Sequence, residues 1–159
     1  MNRIILIVVI VILIIWVISQ LYCQCKNQRE NFSGSNISLS GNQEVPSNQT
    51  ASTGQIKVDL TQDKKQLNYE VTSTALSSEI TGTHFHLGAP GQNGKVVKTL
   101  NLQPININGV PHYQEKGVWK NTDSEPLSQE LVDELEKGNI YINIHSQNYP
   151  NGEIRGQIV

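Results

Sequence analysis

The sequence predicts an all-β fold: a Greek-key-like antiparallel β-sandwich of seven or eight strands with one short helix, preceded by an N-terminal transmembrane helix. Three observations carry that expectation. Short stretches in which apolar and polar residues alternate recur along most of the chain, separated by clusters of Gly, Pro and Asn. Only one stretch, Pro126 to Lys137, shows apolar residues at helical spacing. The first residues are a different material, with an unbroken apolar run from Ile4 to Ile18.

The 159 residues suffice for one domain plus an appendage. Net charge is −2 and charged residues are 16%, which excludes nucleic-acid binding through a basic surface. Asn, Ser, Thr and Gln supply much of the polarity, a composition suited to an all-β extracellular module. Gly-x-Gly-x-x-Gly, Walker and nucleophile-elbow sequences are all missing, and so is a catalytic cysteine.

Residues 1–25 read as a signal-anchor. The run Ile4–Ile18 alone spans about 22 Å, short of a ~30 Å hydrocarbon core, and Leu21-Tyr-Cys23 extends it to a usable length, so residues 4–23 meet the membrane. Arg3 followed by an apolar run also fits a cleaved signal peptide, although no Ala-x-Ala site is present. Cys23 and Cys25 sit at the membrane edge, as acylation or intermolecular bridging sites or as small apolar residues finishing a helix. They leave the folded region without an internal disulfide. Residues 26–35 form a polar stalk. Asn31, Asn36 and Asn48 each begin an N-glycosylation triplet just beyond the apolar segment, which favours an extracellular or lumenal C-terminal domain over residues 36–159.

Within that domain, Ile37–Leu39 opens the first strand. Gln55–Leu60 and the segment from Leu67 to Ala75 form a hairpin across Thr61–Lys65. Ile80–Leu87 is a strand, Gly88–Gly94 a loop, and Lys95–Leu100 a strand. Asn101–Lys116, with Pro104, Gly109 and Pro111, shows no clear pattern. Gly117–Lys120 is a short strand. The helix over Pro126–Lys137 is capped by Ser124 or Ser128, carries Leu127, Leu131, Val132 and Leu135, and ends at Lys137-Gly138. Asn139–His145 and Glu153–Val159 are the last strands, joined by a turn.

Three of the four histidines fall on strands. Residues two apart on a strand point the same way, so His84 and His86 share one face and Phe85 takes the other. Ile140, Ile142 and Ile144 make an apolar face, which leaves Tyr141, Asn143 and His145 on the polar one. The imidazoles are therefore expected to face away from the core. Neutral imidazole suits copper and zinc, so His84, His86 and His145 are candidate metal ligands, with His112 the weakest. The alternative is that these are surface imidazoles hydrogen-bonded to neighbouring strands. Glu153 and Arg155 share a face and pair with each other or with a neighbour. Glu44 is a candidate carboxylate ligand or closes its turn. Trp119 and Tyr149 line a ligand site or pack.

Four segments in register resemble the CHRD domain, first named in chordin: Leu39-Ser-Gly-Asn-Gln-Glu-Val-Pro46, Gly82-Thr-His-Phe-His-Leu-Gly-Ala-Pro-Gly91, Leu135-Glu-Lys-Gly-Asn-Ile-Tyr-Ile-Asn-Ile-His145 and Asn151-Gly-Glu-Ile-Arg-Gly-Gln157. The resemblance implies an extracellular β-sandwich and no single activity. A fainter similarity concerns chemistry. His84-Phe-His86, Pro111-His-Tyr113, His145 and Arg155 follow the order of the copper ligands and channel arginine of Cu/Zn superoxide dismutases. That resemblance implies His84, His86 and His145 as copper ligands, His112 as the ligand bridging to zinc, and Arg155 as the cation that guides superoxide. This chain lacks the further histidines of a zinc site and the subunit disulfide. The expectation is thus a membrane-anchored binding or structural module, metal-binding through copper or zinc, with an extracellular protein or matrix partner. The alternative is a copper-only, superoxide-dismutase-like oxidoreductase.

Overall fold

The computed structural model describes residues 10–21 and 33–158. The chain divides into two compact units, Met1–Asn31 and Phe32–Val159. In the first unit, residues 10–21 form helix α1, with every side chain exposed. At ~1.5 Å per residue the described stretch spans about 18 Å. Among the described residues no helix is long and apolar enough to cross a membrane. The remainder of the expected anchor, Cys23, Cys25, Asn31 and most of the expected stalk lie outside the described residues. Strand structure starts at Ser33, within the 26–35 segment expected to be a stalk.

The second unit holds nine strands: β1 Ser33–Ser40, β2 Thr53–Leu60, β3 Gln66–Ser73, β4 Ile80–Leu87, β5 Lys95–Leu100, β6 Gln103–Ile107, β7 Val110–Lys120, β8 Ile140–Ser146 and β9 Ile154–Ile158. Helix α2, Gln129–Glu136, precedes β8. All described pairings are antiparallel, and the strands form one sheet in the order β5-β4-β8-β9-β1-β2-β3-β7-β6.

The two separate sheets of a sandwich are replaced by one sheet that curls on itself. Its seam is thin, since β1 joins β9 through a single residue pair, Ser40 and Arg155. The curl brings strands near opposite ends of the order face to face. Phe85 of β4 stacks on Trp119 of β7, with centroids 5.4 Å apart and planes 7° apart. Tyr69 of β3 meets Phe85 edge-on at 5.5 Å. Leu39, Ile56, Val71, Ile142, Ile144 and Ile154 complete the interior from both halves of the sheet. Period-two patterning supplies these residues, as in β2, where Ile56 and Val58 are buried between exposed neighbours.

β6 is the strand that composition hid. Two prolines mark the segment as irregular, yet both lie in a two-stranded ribbon at the sheet edge, where proline is tolerated. Asn108 and Gly109 turn the ribbon with φ of 54° and 85°, the backbone that an Asn-Gly hairpin favours. Helix α2 starts later than its sequence pattern. Ser128 is the cap, its Oγ accepting from the Leu131 N–H at 3.3 Å, and Val132 and Leu135 are buried. Trp119 is a core residue, fully buried, with Nε1 donating to the Glu125 carbonyl at 2.7 Å.

The outer face of β4, β8 and β9 carries a second, polar layer. The segment after β1 and the β4–β5 loop lie over it, tied together by Asn93 Nδ2 donating to the Val45 carbonyl at 2.7 Å. Every residue of β8 except His145 is buried.

Candidate metal centre

The convergence of the three histidines follows from strand register. β4 pairs with β8 so that His84 faces Asn143, His86 faces Tyr141 and Gly82 faces His145. His145 is therefore diagonal to His84, with a glycine between them on the β4 side. β4 is irregular just there, with the register shifting between Ile80 and Gly82. A Cβ on Gly82 would lie 2.9 Å from His84 Cε1, so the ring of His84 folds back over the glycine and toward His145. Ring centroids are 5.1 Å apart for His84 and His145, 5.6 Å for His84 and His86, and 6.3 Å for His86 and His145.

One nitrogen from each ring lies within 4.8 Å of the others. The remaining nitrogens fix two of the rings. His86 Nδ1 is 2.9 Å from the Gly94 carbonyl and His145 Nδ1 is 3.0 Å from the Pro150 carbonyl. A carbonyl only accepts, so both Nδ1 atoms carry the proton and both Nε2 atoms keep a free lone pair. His86 Nε2, His145 Nε2 and His84 Nδ1 are all buried without a hydrogen-bond partner. Orphaned buried polar atoms are rare. Three converging imidazoles, each keeping a buried nitrogen without a partner and two backed by carbonyls, form the arrangement a transition metal requires.

The surroundings shift all three rings toward the neutral form. Burial, and then the neighbouring His145 and His86, hold His84 below the ordinary imidazole range. Burial also lowers His86, against the Gly94 carbonyl and Asn143, which raise it, and it lowers His145, against the Pro150 carbonyl. Neutral imidazole is the metal-binding form.

The rings do lie off the aliphatic core, but they do not simply face water as expected. His86 is only 7% exposed and stacks on Tyr141 at 4.7 Å with planes 8° apart. Tyr141 also carries the Arg155 guanidinium 3.5 Å from its ring centroid. Arg155 is 1% exposed, and its N–H groups donate to Gln92 O at 3.0 Å, Ala89 O at 3.4 Å and Gln157 Oε1 at 2.8 Å. The cation is thus enclosed by carbonyls, an amide oxygen and an aromatic ring and is not open to solution. Nor does it pair with Glu153. That carboxylate is fully buried, and its Oε1 accepts from Thr50, Ser52 and the Ser77 N–H, tying the segment before β2 and the β3–β4 connection to the start of β9.

His112 stands apart. It lies on β7, with Nδ1 3.2 Å from the Ser73 carbonyl, and is not among the three converging side chains. Asn48 is half-buried, its Nδ2 donating to the carbonyls of Gly152 at 3.2 Å and Glu153 at 3.0 Å, so a sugar on that nitrogen would break the attachment of its loop. Asn36 is exposed on β1. Gly82, Tyr141 and Asn143 are the site residues that the histidine pattern alone did not single out. Gly82 and Asn143 are each one two-residue step from a histidine on the same strand face, and Tyr141 is two such steps from His145.

Fold and site together define a β-rich module with an imidazole cluster on the outer face of a curled sheet. Residues 35–158 match the family model of the CHRD domain, and the chain belongs to that family, whose domains are of the extracellular type. No curated protein and no solved structure matches the chain.

Proposed function

We propose that this chain is a membrane-tethered, exported CHRD module that binds copper or zinc through His84, His86 and His145. The observation that carries the metal reading is the convergence of three imidazoles, one nitrogen of each within 4.8 Å of the others, on rings that each keep a buried nitrogen without a partner. Ligand bonds of ~2.0 Å from a common ion suit that spacing after small ring movements. Three protein nitrogens leave a coordination position open, as His84 and His145 are only half-buried. The tether reading is supported by the apolar run Ile4–Ile18 and by the wholly exposed apolar side chains of α1. The module's role is binding or structural, toward an extracellular protein or matrix. The oxidoreductase alternative has less support, because the guiding cation is enclosed and no fourth imidazole joins the three.

Metal analysis of the purified full chain, after equilibration with copper or zinc and removal of excess, tests the reading. The expected result is one metal per chain, on the order of unit stoichiometry. A metal-free protein would overturn it.

A substitution separates site geometry from fold. Gly82 does not have positive φ, so alanine fits the strand backbone, yet its Cβ would push the His84 ring off its seat. Gly82→Ala is expected to weaken metal affinity roughly tenfold or more, the scale seen when an outer-shell contact is lost, while the melting temperature of the metal-free protein stays nearly unchanged. Chelator competition and thermal melting read the two effects. Unchanged affinity would contradict the geometry.

A further inference from the structure

Behind the histidines lies a carboxyl group that neither the core nor the metal site uses. Glu44 follows the short 3-10 turn Gly41–Gln43 and is 6% exposed. It lies against the turn after β8, where a Cβ on Gly152 would come within 2.5 Å of Oε1. Oε1 is buried without a hydrogen-bond partner. Asn143 stands between this carboxyl and the centre. Its amide is close to both Glu44 and His86, and it faces His84 across the β4–β8 pairing and Arg155 across β8–β9. Asn143 Oδ1 is likewise buried without a partner.

The charges around this enclosure can be placed element by element. Arg155 on β9 is the cation facing Glu44, and it also acts on His86. Glu125, before α2, acts on His84, but its oxygens are held by the Thr99 N–H at 2.9 Å and hydroxyl at 3.0 Å. Tyr141 is stacked between the imidazole and guanidinium contacts already described. A metal ion on the histidines would add a second cation to a poorly solvated space that already holds Arg155. Such an addition is costly unless a nearby group supplies negative charge.

We infer that Glu44 is the charge-compensating residue of the three-histidine centre: in mildly acidic solution it is held as a neutral acid while the centre lacks a cation, and it releases its proton when a divalent cation enters. Loading of the centre is then coupled to proton release from a residue that does not touch the metal. The inference rests on the metal reading above. Two carboxyls among the described residues keep an orphaned buried oxygen, Glu44 and Glu153; Glu153 is held by Thr50, Ser52 and the Ser77 N–H, whereas Glu44 is the one set against Asn143 and Arg155, and burial, working against Arg155, pushes its carboxyl up to about 7.

Zinc titration of the full chain by calorimetry, in two buffers of different ionisation enthalpy, counts the protons released. Near pH 6 wild type is expected to release about one proton more per zinc than Glu44→Gln. In wild type alone, that extra proton is expected to disappear near pH 8, a comparison that does not depend on how the variant folds. Glu44→Gln is also expected to bind zinc roughly tenfold more weakly near pH 8. Equal proton counts in the two proteins, with a wild-type count that does not fall between the two pH values, would overturn the role of Glu44 and leave the metal centre standing. Failure of wild type to bind zinc would overturn both.

Discussion

Replacing His84 with alanine is expected to lower metal affinity by at least about a hundredfold, beyond the usual range of an outer-shell change, while His112→Ala leaves it within about twofold. The contrast follows from placement. His84 is one of three converging imidazoles that each keep a buried nitrogen without a partner, whereas His112 lies on β7 with its Nδ1 at the Ser73 carbonyl. His84 is half-buried and on the outer face, so its loss leaves the core intact. Chelator competition on both variants reads the difference. Equal losses would mean that the metal is held elsewhere, and no loss in either would remove the site.

The second large effect lies in the core. Trp119→Ala is expected to destabilise the domain by about 3–5 kcal/mol, the range for deleting a buried large aromatic. The melting temperature should fall by roughly 10 °C or more. Trp119 is fully buried, and its stacking on Phe85 joins β7 to β4, strands near opposite ends of the sheet order. Trp119→Phe keeps the ring contact and loses the hydrogen bond to Glu125, so it should cost only about 1–3 kcal/mol. A loss below ~1 kcal/mol for alanine would mean that the sheet does not close over this residue. Denaturant unfolding followed by tryptophan-independent circular dichroism measures both.

These two outcomes mark what was legible in the chain. Alternation at Ile56 and Val58, at Phe85 between two histidines, and at Ile140, Ile142 and Ile144 fixes which side chains enter the core, because strand geometry leaves only two faces. The family segments from Leu39 to Gln157 lie in the matched region, and the helix cap at Ser128 was one of two candidates. Long-range pairing was not legible. Nothing local to β1 and β9 says that they meet through Ser40 and Arg155, so one curled sheet and two sheets read alike. β6 was hidden because proline signals irregularity locally, while edge position, a tertiary fact, makes it acceptable.

The site was half visible for the same reason. Period two puts His84 and His86 together, and Tyr141, Asn143 and His145 together. It cannot say that β4 and β8 are neighbours, nor that Gly82 faces His145 and lets the His84 ring fold back. The polar face read as exposed because its residues are polar. It is covered by the loops at 41–48 and 88–94, which bury Arg155 and Glu44. Arg155 was singled out for its charge, but its burial was set by carbonyls of Ala89 and Gln92, far away in sequence.

X-ray absorption at the edge of the bound metal is the most direct test of the three-histidine centre. The centre predicts three imidazole nitrogens at ~2.0 Å, with the outer-ring scattering of histidine, in protein loaded with copper or zinc. A first shell of oxygen alone, or sulfur from cysteine, would contradict it.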